Sequence, residues 1–228
     1  MTVNQVSPYL PDISSTPLRE KEPIDVSTQE VATYLSDSDG VLRHDQDHFL
    51  VQSPYTEQDH LLDLRTLNAE NALLARALAR MGSVRPDYAT APYTETFNWG
   101  EVIEELRRLV GGQGHQWKET SFFIVAFRSQ IPPTTVYEDL GALDKVAHAE
   151  AIASGGFLKY WFGHPDKDGK NLATCVWRSQ EDAIKGGVGR GHRKAAAATR
   201  SLYTHWKIDR HRLIIRDDVQ SWEIIDWE

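Results

Sequence analysis

The run Ser121–Arg128, SFFIVAFR, constrains this chain more than any other segment. Phe122, Ile124 and Ala126 fall on one side of an extended backbone, and Phe123, Val125 and Phe127 on the other. A strand that is apolar on both sides has to be covered on both sides. Pro132 and Pro133 end it, and Thr135 with Glu138 has the spacing of a helix-capping box. Val136, Leu140, Leu143 and Ala147 then give one apolar helix stripe, closed by Gly155 and Gly156. FLKYWF at 157–162 reads as a second strand, HPDKDGKN as a turn, and LATCVW at 172–177 as its antiparallel partner. Ser179 and Asp182 cap a second helix, which breaks across GGVGRG, resumes at His192 and runs to about Tyr203. Trp206–Ile215 supplies a last strand, and the stretch from Val219 to Trp227 has room for one more.

The order strand, helix, strand, strand, helix, strand predicts an α+β, ferredoxin-like β-α-β-β-α-β domain over residues 120–228. Its four strands would be antiparallel, with both helices on one face. The other face would be left bare and apolar. A second copy of the sheet is the usual cover, and a segment of the same chain is the alternative.

Upstream, residues 1–40 hold Pro8, Pro11, Pro17 and Pro23 among polar residues and read as an arm unable to build a core of its own. Residues 41–119 read as a strand and helical extension packed on the core. His48–Gln52 is a short strand, Leu67–Met81 has helical periodicity, and DYATAPYTETFNW is an extended connection. Asn98 with Glu101 opens a further helix to about Val110, stopped by Gly111, Gly112 and Gly114.

Formal net charge is −8 over 228 residues, a field that argues against general nucleic-acid binding despite the basic patch Arg190–Lys194. The lone cysteine, Cys175, excludes an internal disulfide and a cysteine zinc cluster. The N-terminus has no secretory-signal pattern, and no apolar run is long enough to span a membrane, so a reduced, cytoplasmic setting is expected. The densest metal-like group, His44, Asp45, Asp47 and His48, reads as a solvated turn, so no metal site is expected. A GxSxG elbow is absent.

The SFFIVAFR and FLKYWFG strands, with CVWRSQEDA leading into GHRKAAAA, resemble the dimeric α/β-barrel proteins. That group includes antibiotic-biosynthesis-type monooxygenases, haem-degrading and haem-containing relatives, and cofactor-free cyclases. The resemblance covers about residues 120–216. ENALLARALARM and DYATAPYTETFNW, in turn, resemble an uncharacterised fungal protein family, over most of the chain and with no known activity attached. The broader resemblance implies a homodimer with a small-molecule pocket between sheet and helices, and a histidine of the second helix facing that pocket.

His192 is the leading candidate, as a general acid or base, or as the axial ligand of a haem. Tyr160, Phe162 and His164 share a strand face with Leu158. Trp177, on the face of Ala173 and Cys175, is a candidate pocket wall. Arg128 is a candidate for holding a carboxylate or enolate oxygen, with Arg190 as a second cation. The run Gly186–Lys194 reads as an anion nest, a lid or a plain loop. His148 reads as solvated. The functional expectation is a cofactor-free small-molecule enzyme carrying out cyclisation, isomerisation or oxygenation. The alternatives are a haem protein, or a non-catalytic interaction module using Trp206, Trp222 and Trp227.

Overall fold

The structure, a computed structural model, describes residues 48–227. The expected arm at 1–40, and His44, Asp45 and Asp47, lie outside the described residues. In chain order the elements are β1 (Phe49–Leu50), β2 (Leu62–Asp63), α1 (Ala69–Leu78), α2 (Tyr93–Thr96), α3 (Trp99–Gln113), β3 (Thr120–Gln130), α4 (Tyr137–Ser154), β4 (Phe157–Phe162), β5 (Lys170–Trp177), α5 (Gln180–Gly187), α6 (Arg190–Leu202), β6 (His205–Ile215) and β7 (Trp222–Asp226).

The main sheet runs β4-β5-β3-β6-β7, and every neighbouring pair is antiparallel. Removing β7 leaves the four-strand order of a ferredoxin-like domain, with β3 and β5 at its centre. The twofold-apolar strand is thus the middle of the sheet. Ser179 caps α5 by accepting from the Asp182 amide at 3.2 Å. The second helix breaks after Gly187 and restarts at Arg190.

Two caps differ from expectation. Val136 rather than Thr135 precedes α4, no side chain caps it, and the Thr135 hydroxyl is buried without a partner. Asn98 precedes α3, but its amide group bonds Gly82 N, Arg80 O and Glu101 Oε2 instead of an amide of its own helix. It ties the end of one extension helix to the start of the next.

Register assigns the faces. Phe123, Val125 and Phe127 lie opposite Trp177, Cys175 and Ala173 on the side of α4, α5 and α6. Phe122, Ile124, Ala126 and Arg128 share the other side with Leu172, Thr174, Val176 and Leu213. That side is not bare. Leu73, Leu74, Leu78, Trp99, Val102, Ile103, Leu106 and Trp117 bury against it and form the larger core. The cover expected from a second copy is supplied by the chain itself, so the sheet face gives no reason to dimerise.

β4 carries a bulge between Phe157 and Lys159. Phe157 joins the helix-side cluster, Leu158 joins the core under the extension, and Tyr160 returns to the helix side opposite Cys175. The expected common face of Leu158 and Tyr160 is therefore broken. The backbone amide of Tyr160 donates to Gln52 O at 2.8 Å, so the chain after β1 runs along the β4 edge.

Leu74 of α1 is fully buried in the core between extension and sheet. Leu74→Ala should lower the unfolding free energy by about 2–5 kcal/mol. Urea melts of the two proteins check this; a change within error would mean that the extension packs too loosely to cover the sheet.

Candidate functional site

On the helix side the middle of the sheet is incompletely sealed. Val125, Phe127, Ala173, Cys175, Tyr160 and Phe162 are only partly buried, although they lie beneath helices. Close-packed helices would bury such central residues fully, so the partial exposure marks incomplete cover, a helix-side hollow, on this face of the sheet.

Its polar wall centres on Asp144, from the middle of α4. One carboxylate oxygen accepts from the Tyr55 hydroxyl at 2.5 Å, and the other from the Tyr160 hydroxyl at 2.6 Å. Burial pushes the Asp144 carboxyl up, and the two tyrosine bonds only partly oppose it. Both phenols are pushed well above their ordinary range, by burial first and by the facing carboxylate second.

One turn further along α4, His148 is 4% exposed. Its Nδ1 lies 2.8 Å from Nδ1 of His60, so one imidazole donates to the other. Its Nε2 is buried without a partner. The rings of Tyr55, His60, Phe157 and Tyr160 surround it at centroid distances of 4.9–5.4 Å from one another or from His148.

His192 completes the group from the first turn of α6. Burial lowers its pKa, favouring the neutral ring, while Glu150 and Asp144 oppose that shift. Its Nδ1 is buried and unpartnered. The amides of Gly191 and His192 donate to the Glu150 carboxylate at 2.7 and 2.9 Å. The amides that would cradle an external anion are therefore already occupied, which removes the basis for an anion nest. The glycines have a packing reason instead. A Cβ on Gly189 or Gly191 would collide with Glu150 or Val146, and one on Gly186 with Trp177.

The sequence-predicted residues divide accordingly. Tyr160, Phe162 and His192 come together on the helix side. Trp177 is packed against Phe157 and Gly186 and donates to Cys175 Sγ at 3.0 Å, a core position. His164 is exposed in the turn, and Arg190 is exposed at the start of α6. Arg128 lies on the opposite face. It bonds Asp209 at 3.1 Å and the carbonyls of Tyr88, Ala89 and Ala91 at 2.7–3.2 Å, stitching the extension to the sheet. His148 is buried, contrary to its solvated reading.

Asp144, Tyr55 and His60 were not singled out. Asp144 and His148 are one turn apart beside the Leu143–Ala147 stripe, a spacing that was legible. Tyr55 and His60 come from an irregular segment, where no periodicity announces burial.

The profile of the PB2B2.08-like family matches residues 51–226. The chain belongs to that family. A relative, UPF0643 protein PB2B2.08 of Schizosaccharomyces pombe, is 39% identical over 183 residues, which are 76% of this chain and 82% of that protein. The PB2B2.08-like match takes in the extension as well as the sheet, so Tyr55, His60, Asp144, His148, Tyr160 and His192 all fall inside it.

Solved structures similar to this chain include SnoaB, a cofactor-independent oxygenase from Streptomyces nogalater. It is 17% identical, with a TM-score of 0.35, and the match covers 39% of this chain and 89% of SnoaB. Rv0793 from Mycobacterium tuberculosis is likewise 17% identical with a TM-score of 0.35, covering 39% of this chain and 91% of Rv0793. The fold assignment rests on the strand order itself. No described helix is long and apolar enough to cross a membrane.

A haem at His192 does not fit. The wall beside His192 is the Asp144 carboxyl with its two phenols, a polar surface whose groups an apolar macrocycle would leave unsatisfied.

Burial holds His148 down to about 4, from an ordinary histidine value near 6.5. A lowered folded-state pKa means that the unfolded chain takes up the proton first. Stability is therefore retained above pH about 6.5 and lost as pH falls from there toward about 4, by on the order of 3 kcal/mol for this one group. Urea melts at pH 7, 5.5 and 4 should show the loss, and His148→Phe should shrink it. An equal acid loss in the variant would assign it to other groups.

Proposed function

We propose that this protein is a small-molecule enzyme that moves protons in the helix-side hollow without a cofactor. One observation carries the reading: a half-buried carboxyl, Asp144, holds two tyrosine hydroxyls and shares its electrostatic environment with a half-buried imidazole, His192, whose proton affinity burial lowers. Groups whose surroundings push their proton affinities away from ordinary values are the usual material of acid–base sites.

His192 is the base of this reading, because its Nδ1 is buried with no partner among the described residues. Tyr160 and Tyr55 are fixed by Asp144, so a phenolic hydroxyl presents its oxygen to a substrate at a set position. Asp144, pushed toward its protonated form, can store a proton and return it through either phenol. Phe162 and the exposed parts of Val125 and Phe127 supply apolar walls. Removing a proton from an activated carbon or hydroxyl and returning it elsewhere is the common first half of cyclisation, isomerisation and cofactor-free oxygenation. Arg128 takes no part, since it lies across the sheet. The reading needs no partner subunit, because one chain supplies every group.

The test begins with metabolites that the full-length protein retains from a cell extract, identified by mass spectrometry and returned as substrates. His192→Ala and Asp144→Asn should each slow conversion by about 100-fold or more with nearly unchanged melting temperature. Retained metabolites that are never converted, or are converted equally by both variants, would leave a binding module in place of an enzyme.

A further inference from the structure

We infer that the opposite face of the sheet carries a second binding site, built around His211, for a small hydroxylated organic anion. The site is independent of the helix-side hollow. It is a cleft of about 560 Å³ between the segment at residues 89–94 of the extension and the ends of β3, β5 and β6, closed on one side by β7. That volume lies within the range of about 300–1,000 Å³ typical of small-molecule sites.

Its wall is braced rather than loose. Arg128 holds three carbonyls of the 88–91 segment and Asp209, and Asp209 also pairs with Lys207 at 3.1 Å. These contacts fix the cleft before any ligand arrives, which reduces the ordering cost of binding.

His211 is 8% exposed and stacks on Tyr93 at 4.6 Å between ring centroids, with the planes 19° apart. Its Nδ1 lies 3.0 Å from Asp226 Oδ1. A carboxylate can only accept, so Nδ1 carries the hydrogen and Nε2 of the neutral ring presents a lone pair. That Nε2 is buried and has no partner among the described residues. Leaving a buried polar atom unpaired is destabilising, and no described residue offsets it. A ligand hydroxyl donating to Nε2 would.

The charge of the cleft sets the other half of the ligand. Arg128, Lys170 and Lys207 face two carboxylates, Asp209 and Asp226, in a chain whose formal net charge is −8. Arg128 and Lys207 share Asp209, whereas Lys170 makes no ion pair among the described residues. An anionic head near Lys170 and a hydroxyl on His211 satisfy both unmet groups at once. Such a ligand is a hydroxy acid or a phosphorylated polyol.

The experiment titrates the full-length chain, labelled with ¹⁵N-histidine, with glycerol 3-phosphate and with L-malate, and follows the His211 Nε2 resonance. Glycerol and inorganic phosphate, each carrying only one of the two functions, are the controls. At least one two-function probe should move the resonance saturably. Lys170→Ala should weaken that binding about tenfold, and His211→Phe, which lacks the reporter and is followed by calorimetry, should abolish it. Asp226→Asn, at an exposed side chain, serves where His211→Phe does not fold: it frees the ring to change tautomer and should weaken binding as well. A resonance unmoved by both probes, or the same affinity in the Lys170 and Asp226 variants as in the parent protein, overturns the inference.

Discussion

Phe122, Ile124 and Ala126 leave β3 on one side and Phe123, Val125 and Phe127 on the other, so neither face of the central strand tolerates water. Everything else in the architecture answers that demand. The helices between the strands answer it on one side, as they do in any ferredoxin-like domain. On the other side the answer is a helical extension whose leucines and tryptophans, from Leu73 to Trp117, are buried against the sheet. Burial of this kind contributes about 25 cal/mol per Å² of apolar area removed from water, and here it is supplied within one chain.

This self-cover links fold to site. The chain that leaves β1 runs along the β4 edge, accepts the Tyr160 amide at Gln52 and carries Tyr55 and His60 around to the helix side. The extension therefore does two things at once. It seals one face with apolar residues and supplies polar residues to the other. Arg128 shows the same economy in reverse: a cation at the end of a central strand is spent on holding the cover in place rather than on chemistry.

Much of the fold was legible in the sequence because alternation, helical spacing and turn residues are local signals. SFFIVAFR, the Asp168-Gly169 turn and the Ser179 cap each lie where their patterns put them. The face assignment of Leu158 was not legible, since a bulge adds a residue to a strand without leaving a mark in its composition. His148 was misread for a related reason: a polar residue next to an apolar stripe is usually solvated, and only the arrival of His60 and Tyr55 from elsewhere in the chain buries it. The glycine run at 186–191 left an anion nest, a lid and a plain loop open. It serves instead to let α5 and α6 approach Trp177, Val146 and Glu150, a distinction that depends on what lies across the gap.

The bulge at Phe157–Lys159 has a further consequence. Side chains alternate along β4, so the number of residues between Phe157 and Tyr160 decides which side of the sheet each later side chain meets. Plain alternation through the same residues, without the bulge, would turn the Tyr160 phenol into the apolar layer and swing the Trp161 indole toward Asp144. The orientation of Tyr160 is thus held by one supernumerary backbone unit upstream of it, a device set by chain geometry and independent of the side chain at that unit.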